Sequence, residues 1–399
     1  MTSTILCINA GSSSLKFALF DATAAHRPSG LPAALLRGEI DAPQGKPTLS
    51  YAHAGQPARS LAPGAVRGDI GAETAWLMAW LASACDAPRP IAVAHRIVHG
   101  GLHHTQATRI TPGVFNDLQA LTSLAPLHQG PGLAGVQAAQ AALPEAAQFA
   151  CFDTAFHAGH TDAERRYAIP RNWHDRGYQR YGFHGLSFEA ISRRLPAVLG
   201  ERAQAAVLVA HLGSGASLCG MRGLRSVTTT MGFTALDGLV MGTRCGALDP
   251  GLVLQWVLHD RLSADDVQSL LYERSGLLGV SGISADTRDL LASKDPRAKQ
   301  AVDLFVASIV RQIGAVAAAL GGLDALVFTG GIGTHQACIR AAVVQRLGWL
   351  GLDIDPAANR SGHLNIASSS SRIPILTLPT DEEAVMATQA AALLAPAGA

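Results

Sequence analysis

The sequence predicts an α/β fold built from two duplicated domains with a cleft between them. Apolar runs of strand length alternate with segments of helical periodicity, and this alternation is typical of α/β proteins. A module of strand, Gly/Ser loop and strand also occurs twice, at residues 5–20 and 207–221, with its loop glycines 202 positions apart (213 − 11). Two copies half a chain apart indicate a duplicated domain.

In the first half of the chain, short apolar runs and a helix-opening proline define the elements. Residues 5–8 and 17–20 flank a polar turn, which predicts two strands joined by a loop. Pro131 fits the first position of a helix that ends before Pro144. Residues 41–70 are rich in Pro, Gly and Ala and predict surface strands and loops. The other predicted elements are a helix at 72–81 and strands at 91–94 and 149–152.

The second half contains the clearest helix of the sequence. Eight apolar residues between 302 and 320 follow the three-and-four spacing of one buried face, and Gly321-Gly322 ends the segment. Apolar runs predict buried strands on either side of it, and a loop rich in glycine follows two of them. These predicted strands are 207–210, 218–221 and 325–328.

Composition excludes several classes of protein. The chain has 399 residues, of which 48% are apolar and 15% charged, so a disordered or fibrous chain is excluded. Lys plus Arg number 31 against 30 for Asp plus Glu, and this balance argues against a duplex nucleic acid as partner. Only four of the basic residues are lysines, and one of them, Lys16, lies in the first Gly/Ser loop.

Cysteine spacing and hydropathy indicate a cytoplasmic protein without a membrane partner. No two of the six cysteines are closer than 26 positions (245 − 219), which excludes C-x-x-C zinc and redox pairs and predicts reduced thiols. The N-terminus lacks a signal-peptide pattern. The longest apolar run, 313–323, has 11 residues, whereas a bilayer span needs roughly 20.

Three loops share one design, in which an apolar strand opens into glycine and small hydroxyl residues. They are residues 9–16, 211–217 and 329–335. Backbone N–H groups in such loops can surround phosphate oxygens, so the three loops together predict a phosphate-binding function. The P-loop is excluded because Pro47 follows the chain's Gly-Lys pair, and the dinucleotide fingerprint is excluded because Leu218 replaces its third glycine.

Charged and polar residues follow several predicted strands, and each also fits a purely structural role. Arg96 and Arg244 are candidates for phosphate and carboxylate binding, or for structural ion pairs. His184 is a candidate donor or a buried core histidine, and Asp153 a reactive carboxylate or a helix N-cap. The acidic pair 382–383 suits a metal or the first turn of the last helix. Together the set has the parts that phosphoryl transfer requires, which are positioning groups and charge neutralisation.

Five segments then resemble the acetate kinase family, in order along residues 5 to about 390. They are 9–17, 95–101, 152–157, 181–185 and 241–244. The resemblance implies the α/β fold of actin-like (RNase H-like) ATPase domains, which sugar kinases and Hsp70 share. It also implies a homodimer and reversible phosphoryl transfer from ATP to acetate, giving ADP and acetyl phosphate. The implied metal is Mg²⁺, with Mn²⁺ as the second possibility.

The resemblance also assigns roles to individual residues. Arg96, Asp153, His184 and Arg244 are implied to be catalytic, and Asn9 and Glu382 to serve the metal. The implied substrate residues are Arg96, Val98, Leu127, Phe183 and Ala235. The implied nucleotide-binding residues are Ser12, Ser14, Lys16, His211, Leu212, Gly213, Ser214, Gly215, Asp286, Thr287, Arg288, Gly331, Ile332, Gly333, Thr334 and His335. The predicted domains are residues 1–150 with 384–399, and residues 151–383.

Several positions depart from the family pattern and leave the substrate preference open. Ser214 and Thr334-His335 replace Asn and Glu-Asn beside the nucleotide, and Cys245 and Ala247 replace Ser and Asp beside Arg244. Ala235 replaces a proline against the substrate methyl, which would enlarge the pocket for propionate. Propionate kinase is therefore the nearest competing function. An actin-like ATP-binding module and a sugar kinase are more distant candidates, and the arginine pair with His184 argues against both.

Overall fold

The computed structural model describes residues 3–11, 14–26, 30–41, 47–62, 69–83, 88–126 and 128–395. The chain divides into two compact units. Unit 1 comprises Met1–Ala158, Gly185–Arg194 and Asp381–Ala399, and unit 2 comprises Gly159–His184 and Leu195–Thr380. The domain limits predicted from the sequence stay a prediction.

The regular elements alternate along both units. The strands are β1 (Thr4–Ala10), β2 (Ser14–Asp21), β3 (Leu36–Asp41), β4 (Thr48–His53), β5 (Arg59–Leu61), β6 (Pro90–Ile97), β7 (Thr108–Arg109), β8 (Ala147–Phe152), β9 (Val207–Leu212), β10 (Ala216–Arg222), β11 (Arg225–Thr229), β12 (Ala325–Thr329) and β13 (Ile375–Thr377). The helices are α1 (Ala22–Ala25), α2 (Ile70–Ser83), α3 (Pro112–Ala120), α4 (Gln129–Ala142), α5 (Asp162–Arg165), α6 (Arg171–Asp175), α7 (Gly185–Leu199), α8 (Pro250–Leu258), α9 (Ala264–Glu273), α10 (Gly276–Ser281), α11 (Thr287–Ala292), α12 (Pro296–Leu320), α13 (Gly330–His335), α14 (Ala337–Gln345), α15 (Pro356–Ser361) and α16 (Glu382–Leu394).

Unit 1 contains, within its described residues, an eight-stranded sheet with the order β5-β4-β3-β2-β1-β6-β8-β7. Strands β1 to β5 form an antiparallel meander, whereas β1, β6 and β8 run parallel. The central strands are buried on both faces, which explains why β1 is a continuous apolar run without alternation. Helix α16 covers one face, where the core includes Cys7 and Phe149, and α2 and α4 cover the other, where it includes Leu6 and Phe17.

Unit 2 repeats this arrangement. Its described residues contain a five-stranded sheet with the order β11-β10-β9-β12-β13, in which β9 to β11 are antiparallel and β9, β12 and β13 are parallel. The order and directions match β3-β2-β1-β6-β8 of unit 1 strand for strand. The predicted α/β fold class and the predicted duplication are therefore confirmed.

Helix α12 contains the helix predicted at 302–320 and begins six residues earlier. The Asp295 side chain caps its start by accepting from the N–H of Arg297 at 2.8 Å, and the helix ends at Gly321 with φ +71°. By length and mean hydropathy (1.6) this helix is able to cross a membrane. Its inner face, which includes Phe305 and Ile309, is buried and packs on β10 and β11, so this face belongs to the core of unit 2.

Three predicted elements differ from the structure in detail. Helix α4 begins at Gln129, so Pro131 lies inside its first turn, where its missing N–H removes no helical hydrogen bond. The segment 41–70 contributes β4 and β5, and part of it lies outside the described residues. The glycine-rich loop predicted at 329–335 is largely the short helix α13.

Candidate active site

In unit 1, polar residues predicted to serve catalysis or the metal lie where neighbouring parallel strands end. Asn9 is near the end of β1, Arg96 near the end of β6, and Asp153 directly follows β8. Since β1, β6 and β8 run parallel side by side, their carboxyl ends meet at one edge of the sheet. The sheet therefore brings together side chains that are 57 and 144 positions from one another in the sequence (153 − 96 and 153 − 9).

Arg96 and Asp153 form a buried, bidentate ion pair. Arg96 Nη2 donates to Asp153 Oδ2 at 2.6 Å, and Arg96 Nε donates to Oδ1 at 3.0 Å. Burial would lower the pKa of Arg96, but the charges of Asp153 and Glu382 outweigh burial and the pKa is raised. Burial raises the pKa of the Asp153 carboxyl, and the Arg96 guanidinium opposes that rise. The guanidinium is permanently charged, and its fork presents two donors to the oxygens of Asp153.

Asn9 links this ion pair to the two glutamates at the start of α16. Its Oδ1 accepts from Arg96 Nη1 at 3.1 Å, while its Nδ2 donates to Glu382 Oε2 at 2.9 Å and to Glu383 Oε1 at 2.7 Å. Burial raises the pKa of Glu383, and the neighbouring charge of Glu382 raises it further. One guanidinium faces three carboxylates, so this network carries an excess of negative charge.

The network fits a hard divalent cation by its donor chemistry. Carboxylate and amide oxygens, which Glu382 and Asn9 carry, are the ligands that Mg²⁺ and Mn²⁺ take. In the part of the chain that the structure describes, no group of three His, Cys, Asp or Glu side chains forms a metal site. A cation held here would therefore keep water and phosphate oxygens among its ligands, as Mg²⁺ usually does.

In unit 2, His184 and Arg244 converge on one glycine. A Cβ atom added at Gly215 would lie 3.1 Å from His184 Nε2 and 3.2 Å from Arg244 Nη2. Ser217 Oγ fixes the His184 ring through Nδ1 at 2.8 Å, and the ring stacks on His211 with centroids 4.3 Å apart. Glycine at 215 thus lets an imidazole and a guanidinium approach the backbone of the same loop.

Backbone contacts hold Arg244 and its loop in place. Arg244 Nη1 donates to the carbonyl oxygen of Ala235 at 2.7 Å. The Thr243 hydroxyl donates to the Tyr272 carbonyl at 2.7 Å, and the N–H of Ser275 donates to the Thr243 carbonyl at 2.9 Å. The guanidinium therefore projects from a loop whose own backbone is braced.

The structure brings together the three segments of unit 2 that are predicted to bind nucleotide. Gly330, at the start of α13, has φ +75°, and a Cβ atom there would lie 2.5 Å from the carbonyl oxygen of Leu212. Gly242 lies between the other two segments: its N–H donates to the Ser214 carbonyl at 3.2 Å, and its α-carbon faces Ala285, next to Asp286. The predicted segments 211–215, 286–288 and 331–335 are therefore neighbours, and glycine at 330 permits the close approach to Leu212.

Arg340 supports the 330–335 segment and was not predicted from the sequence. Its side chain is 1% exposed, and Nη1 donates to the carbonyl oxygens of Gly333 at 2.9 Å and Thr334 at 2.8 Å. Nε donates to Asn359 Oδ1 at 2.8 Å, and burial lowers the pKa of Arg340. The only signal in the sequence is an arginine within the apolar face of α14, and such a signal does not identify its partners.

Some of these residues fill the purely structural roles that the sequence also allowed, and others do not. Asp153 caps no helix, because the short helix that follows begins after Thr154, and its carboxylate instead binds Arg96. Arg96 does form the ion pair that its structural role requires. The acidic pair 382–383 occupies the first turn of α16, as its structural role requires, and both side chains accept from Asn9. Its role as a metal ligand stays a prediction. His184 is partly exposed and is not a core histidine.

The predicted phosphate residues of unit 1 are only partly described. Ser12 lies outside the described residues, whereas Ser14 and Lys16 begin β2. Lys16 lies directly opposite Asn9 in the antiparallel pair β1–β2, so the two side chains share one face of the sheet. Lys16 is exposed. A long cationic side chain is thus available beside the acidic network.

The predicted substrate residues belong to both units. Val98, directly after β6, is buried in unit 1, and Leu127 lies outside the described residues. Phe183 is buried and Ala235 partly exposed in unit 2.

Among the residues predicted to bind the nucleotide, Asp286 caps α11. Its carboxylate is held by Arg288 of the same turn, which lowers the pKa of Asp286.

A comparison with models of protein families matches residues 4–388 to the acetokinase family. The chain belongs to the acetokinase family. Its curated relatives include an acetate kinase of Rhodopseudomonas palustris (strain TIE-1), 45% identical over 393 residues that cover 97% of each chain. An acetate kinase of Rhizobium meliloti is 43% identical over 98% of each chain. Membership in the acetokinase family confirms the resemblance that the sequence motifs predicted.

Solved structures of acetokinase-family proteins share the fold. A propionate kinase from Francisella tularensis aligns with a TM-score of 0.86 at 32% identity, over 97% of this chain and 98% of that one. An acetate kinase from Porphyromonas gingivalis aligns with a TM-score of 0.84 at 31% identity, over 98% of this chain and all of that one. Both alignments extend through the two units, so the α/β fold predicted from the sequence is that of the family.

Proposed function

We propose that this acetokinase-family chain transfers the γ-phosphoryl group of ATP to acetate, reversibly, giving ADP and acetyl phosphate. The observation that carries the proposal is the convergence of His184 and Arg244 over Gly215, beside three loops suited to a nucleotide. A module that only binds ATP has no use for such a pair of donors. Phosphoryl transfer does, because charge spreads over the equatorial oxygens of the transferring group.

His184 and Arg244 act as donors to those oxygens. In the imidazolium form both ring nitrogens donate, Nδ1 to Ser217 and Nε2 towards the phosphoryl oxygens. The Arg244 guanidinium keeps Nη1 on the Ala235 carbonyl and directs Nη2 to the same place. Donors fixed in advance stabilise the transition state without reorganisation, which typically contributes about 10²–10³-fold to the rate for each donor.

Arg96 and Asp153 act in the same reaction. Arg96 binds the acceptor carboxylate, and Asp153 holds the guanidinium in orientation through its bidentate contact. Glu382 and Asn9 would hold Mg²⁺ or Mn²⁺, which would neutralise phosphate charge. Lys16 with Ser12 and Ser14 binds phosphate oxygens, and loops 211–215, 286–288 and 331–335 bind the nucleotide.

A hydroxamate assay tests this function. Purified protein with ATP, Mg²⁺, acetate and hydroxylamine is expected to form acetyl hydroxamate, because hydroxylamine traps acetyl phosphate as it is released. Omission of ATP or of the divalent metal provides the control. If neither acetate, propionate nor butyrate gives a hydroxamate, the proposed function is wrong.

Propionate kinase is the second candidate. It is favoured by the structural similarity to the propionate kinase from Francisella tularensis and by the small side chain of Ala235. One methylene in an apolar pocket changes the free energy that determines kcat/KM by about 1–3 kcal/mol. Either acid can therefore be preferred. A direct comparison of kcat/KM for acetate and propionate decides between the two, and Ala235→Pro is expected to move the ratio towards acetate.

We also propose that the protein is a homodimer in which a second copy covers α8. None of the nine residues of α8 is buried, although its side chains are almost all apolar, and Leu254 and Leu258 are 57% and 52% exposed. An apolar helix of this kind marks an interface. Leu254→Glu is expected to yield monomers in light scattering coupled to size exclusion. The exposed Leu364, substituted in the same way, is the matched control that stays dimeric.

A further inference from the structure

Three side chains of unit 2 hold the loop formed by residues 232–238. Arg180 Nη1 donates to Asp237 Oδ2 at 3.3 Å, and Arg180 Cζ lies 4.8 Å from the centroid of the Tyr167 ring. Tyr167 Oη accepts a hydrogen bond from the N–H of Phe233 at 2.8 Å. Tyr167, Arg180 and Asp237 are called the clamp below, and residues 232–238 the clamped loop.

The clamp closes tightly over the start of the loop. A Cβ atom at Gly232 would collide with Tyr167 Oη and would lie 2.6 Å from Asp237 Oδ2. At the other end of the loop, Asp237 Oδ1 accepts from the N–H of Gly238 at 2.8 Å. The clamp therefore fixes the loop at both of its ends.

The clamped loop contacts Arg244 itself and the backbone directly before His184. The Ala235 carbonyl accepts from Arg244 Nη1 at 2.7 Å. The Gly232 carbonyl accepts from the N–H groups of Tyr181 at 3.0 Å and Gly182 at 3.3 Å, directly before the segment that carries His184. One loop thus fixes the positions of the guanidinium and of the imidazole relative to each other.

We propose that Tyr167, Arg180 and Asp237 are positioning residues for phosphoryl transfer, which act through the clamped loop on Arg244 and His184. The proposal rests on the function proposed above for this site. None of the three is assigned a contact with substrate. Their effect arises because a displacement of about 1 Å at the reacting groups costs up to roughly 10²-fold in rate.

Steady-state kinetics test the clamp. Tyr167→Phe removes the acceptor of the Phe233 N–H, and Asp237→Asn removes the charge that Arg180 meets. Each is expected to lower kcat roughly 5–50-fold while the KM for ATP stays within about twofold, because the nucleotide loops keep their own contacts. Asp295→Asn, which alters the Asp295–Arg297 ion pair of the same unit, is the control and keeps the wild-type kcat. Unchanged kcat in both clamp variants overturns the proposal.

Two further variants separate positioning from loss of folding. Arg180→Lys keeps a positive charge for Asp237 and is expected to retain more kcat than Arg180→Gln. In an Arg244→Ala background, Asp237→Asn is expected to lower the residual rate by less than in the wild type, because the group it positions is gone. Equal losses in the two backgrounds would show that Asp237 acts without Arg244.

Hydrogen exchange gives a result that does not depend on activity. In Tyr167→Phe, amides of peptides covering 232–238 and 241–246 are expected to exchange faster than in the wild type, while β12 stays unchanged. An unaltered 241–246 peptide overturns the proposal. A wild-type protein that fails the hydroxamate assay contradicts the proposed function alone, since the exchange experiment still decides whether the clamp orders the Arg244 loop.

Discussion

The polar networks of the two units are held together by different forces. In unit 1, every contact that joins Arg96, Asp153, Asn9, Glu382 and Glu383 involves at least one ionisable side chain. In unit 2, the contacts described for His184, Arg244 and Arg340 are made to neutral oxygens of hydroxyl, carbonyl and amide groups. The difference teaches that unit 1 is suited to a cation and unit 2 to an anion, as a kinase that uses a metal and a nucleotide requires.

The largest effect is expected when the charge pair of unit 1 is broken. Asp153→Asn removes the carboxylate that the largely buried Arg96 guanidinium contacts directly, and the loss of one partner of such a pair typically costs about 3–5 kcal/mol. Urea unfolding followed by circular dichroism measures the free energy of unfolding. Asp303→Asn, which breaks the exposed pair with Lys299, is the control and is expected to change it by less than about 1 kcal/mol. Similar values for both variants would remove the distinction between the networks.

The second-largest effect is expected when a cationic donor of unit 2 is removed. Arg244→Ala is expected to lower kcat roughly 10²-fold or more, because a donor to the developing charge is lost. Its free energy of unfolding is expected to change little by comparison with Asp153→Asn, since its described partner is a carbonyl. The exposed Arg346→Ala is the matched control. Wild-type kinetics for Arg244→Ala would exclude this arginine from the mechanism.

The pH dependence of stability tests the charged network of unit 1 through the titration of Glu383. Because its folded pKa lies above the ordinary value of 4.5, the folded state binds more protons than the unfolded state above that pH. The stability contributed by the protonated form is therefore lost as the pH rises through the raised pKa. Glu383→Gln is expected to remove this loss, so that the variant gains stability relative to the wild type as the pH rises above 4.5. Parallel stability curves for the two proteins would contradict the prediction.

The smallest effect is expected at a neutral contact of unit 2. Ser217→Ala removes the hydroxyl that holds His184 Nδ1, and one such hydrogen bond is worth about 1 kcal/mol. Urea unfolding is expected to show a loss of that size. We also expect kcat to fall several-fold, because the ring keeps its stacking on His211 but loses its fixed rotation. Ser217→Thr, which keeps the hydroxyl, is expected to restore part of the rate.

The sequence predicts the strands and the motifs because both are local. Residues 5–8, 207–210 and 325–328 are continuous apolar runs, and all three are central strands buried on both faces. The candidate residues at the ends of these strands follow from the same local patterns. The contact partners of these residues do not follow from local patterns. Arg96 and Asp153 are 57 positions apart in the sequence (153 − 96), and this separation does not show that they lie close together in the fold.

Long-range packing decides what local patterns leave open. Glycine has low helix propensity, so residues 330–333 predict a loop, yet contacts with Leu212 and Arg340 fix them as the first turn of α13. The clamp is equally invisible in the sequence, since Tyr167, Arg180 and Asp237 belong to three segments without a shared motif. Such features arise from the tertiary structure and become visible only in the folded chain.

Asn9 has a consequence for the ageing of the protein. Its side chain acts as a donor to two carboxylates and as an acceptor from a guanidinium, roles that only an amide combines. Deamidation would yield aspartate, which has nearly the same shape but donates no hydrogen bond. A single spontaneous hydrolysis would thus add one more carboxylate directly beside Glu382 and Glu383 without any change of fold. The burial of Asn9 in a central strand, which restricts the backbone movement that deamidation requires, therefore also preserves the chemistry of the network.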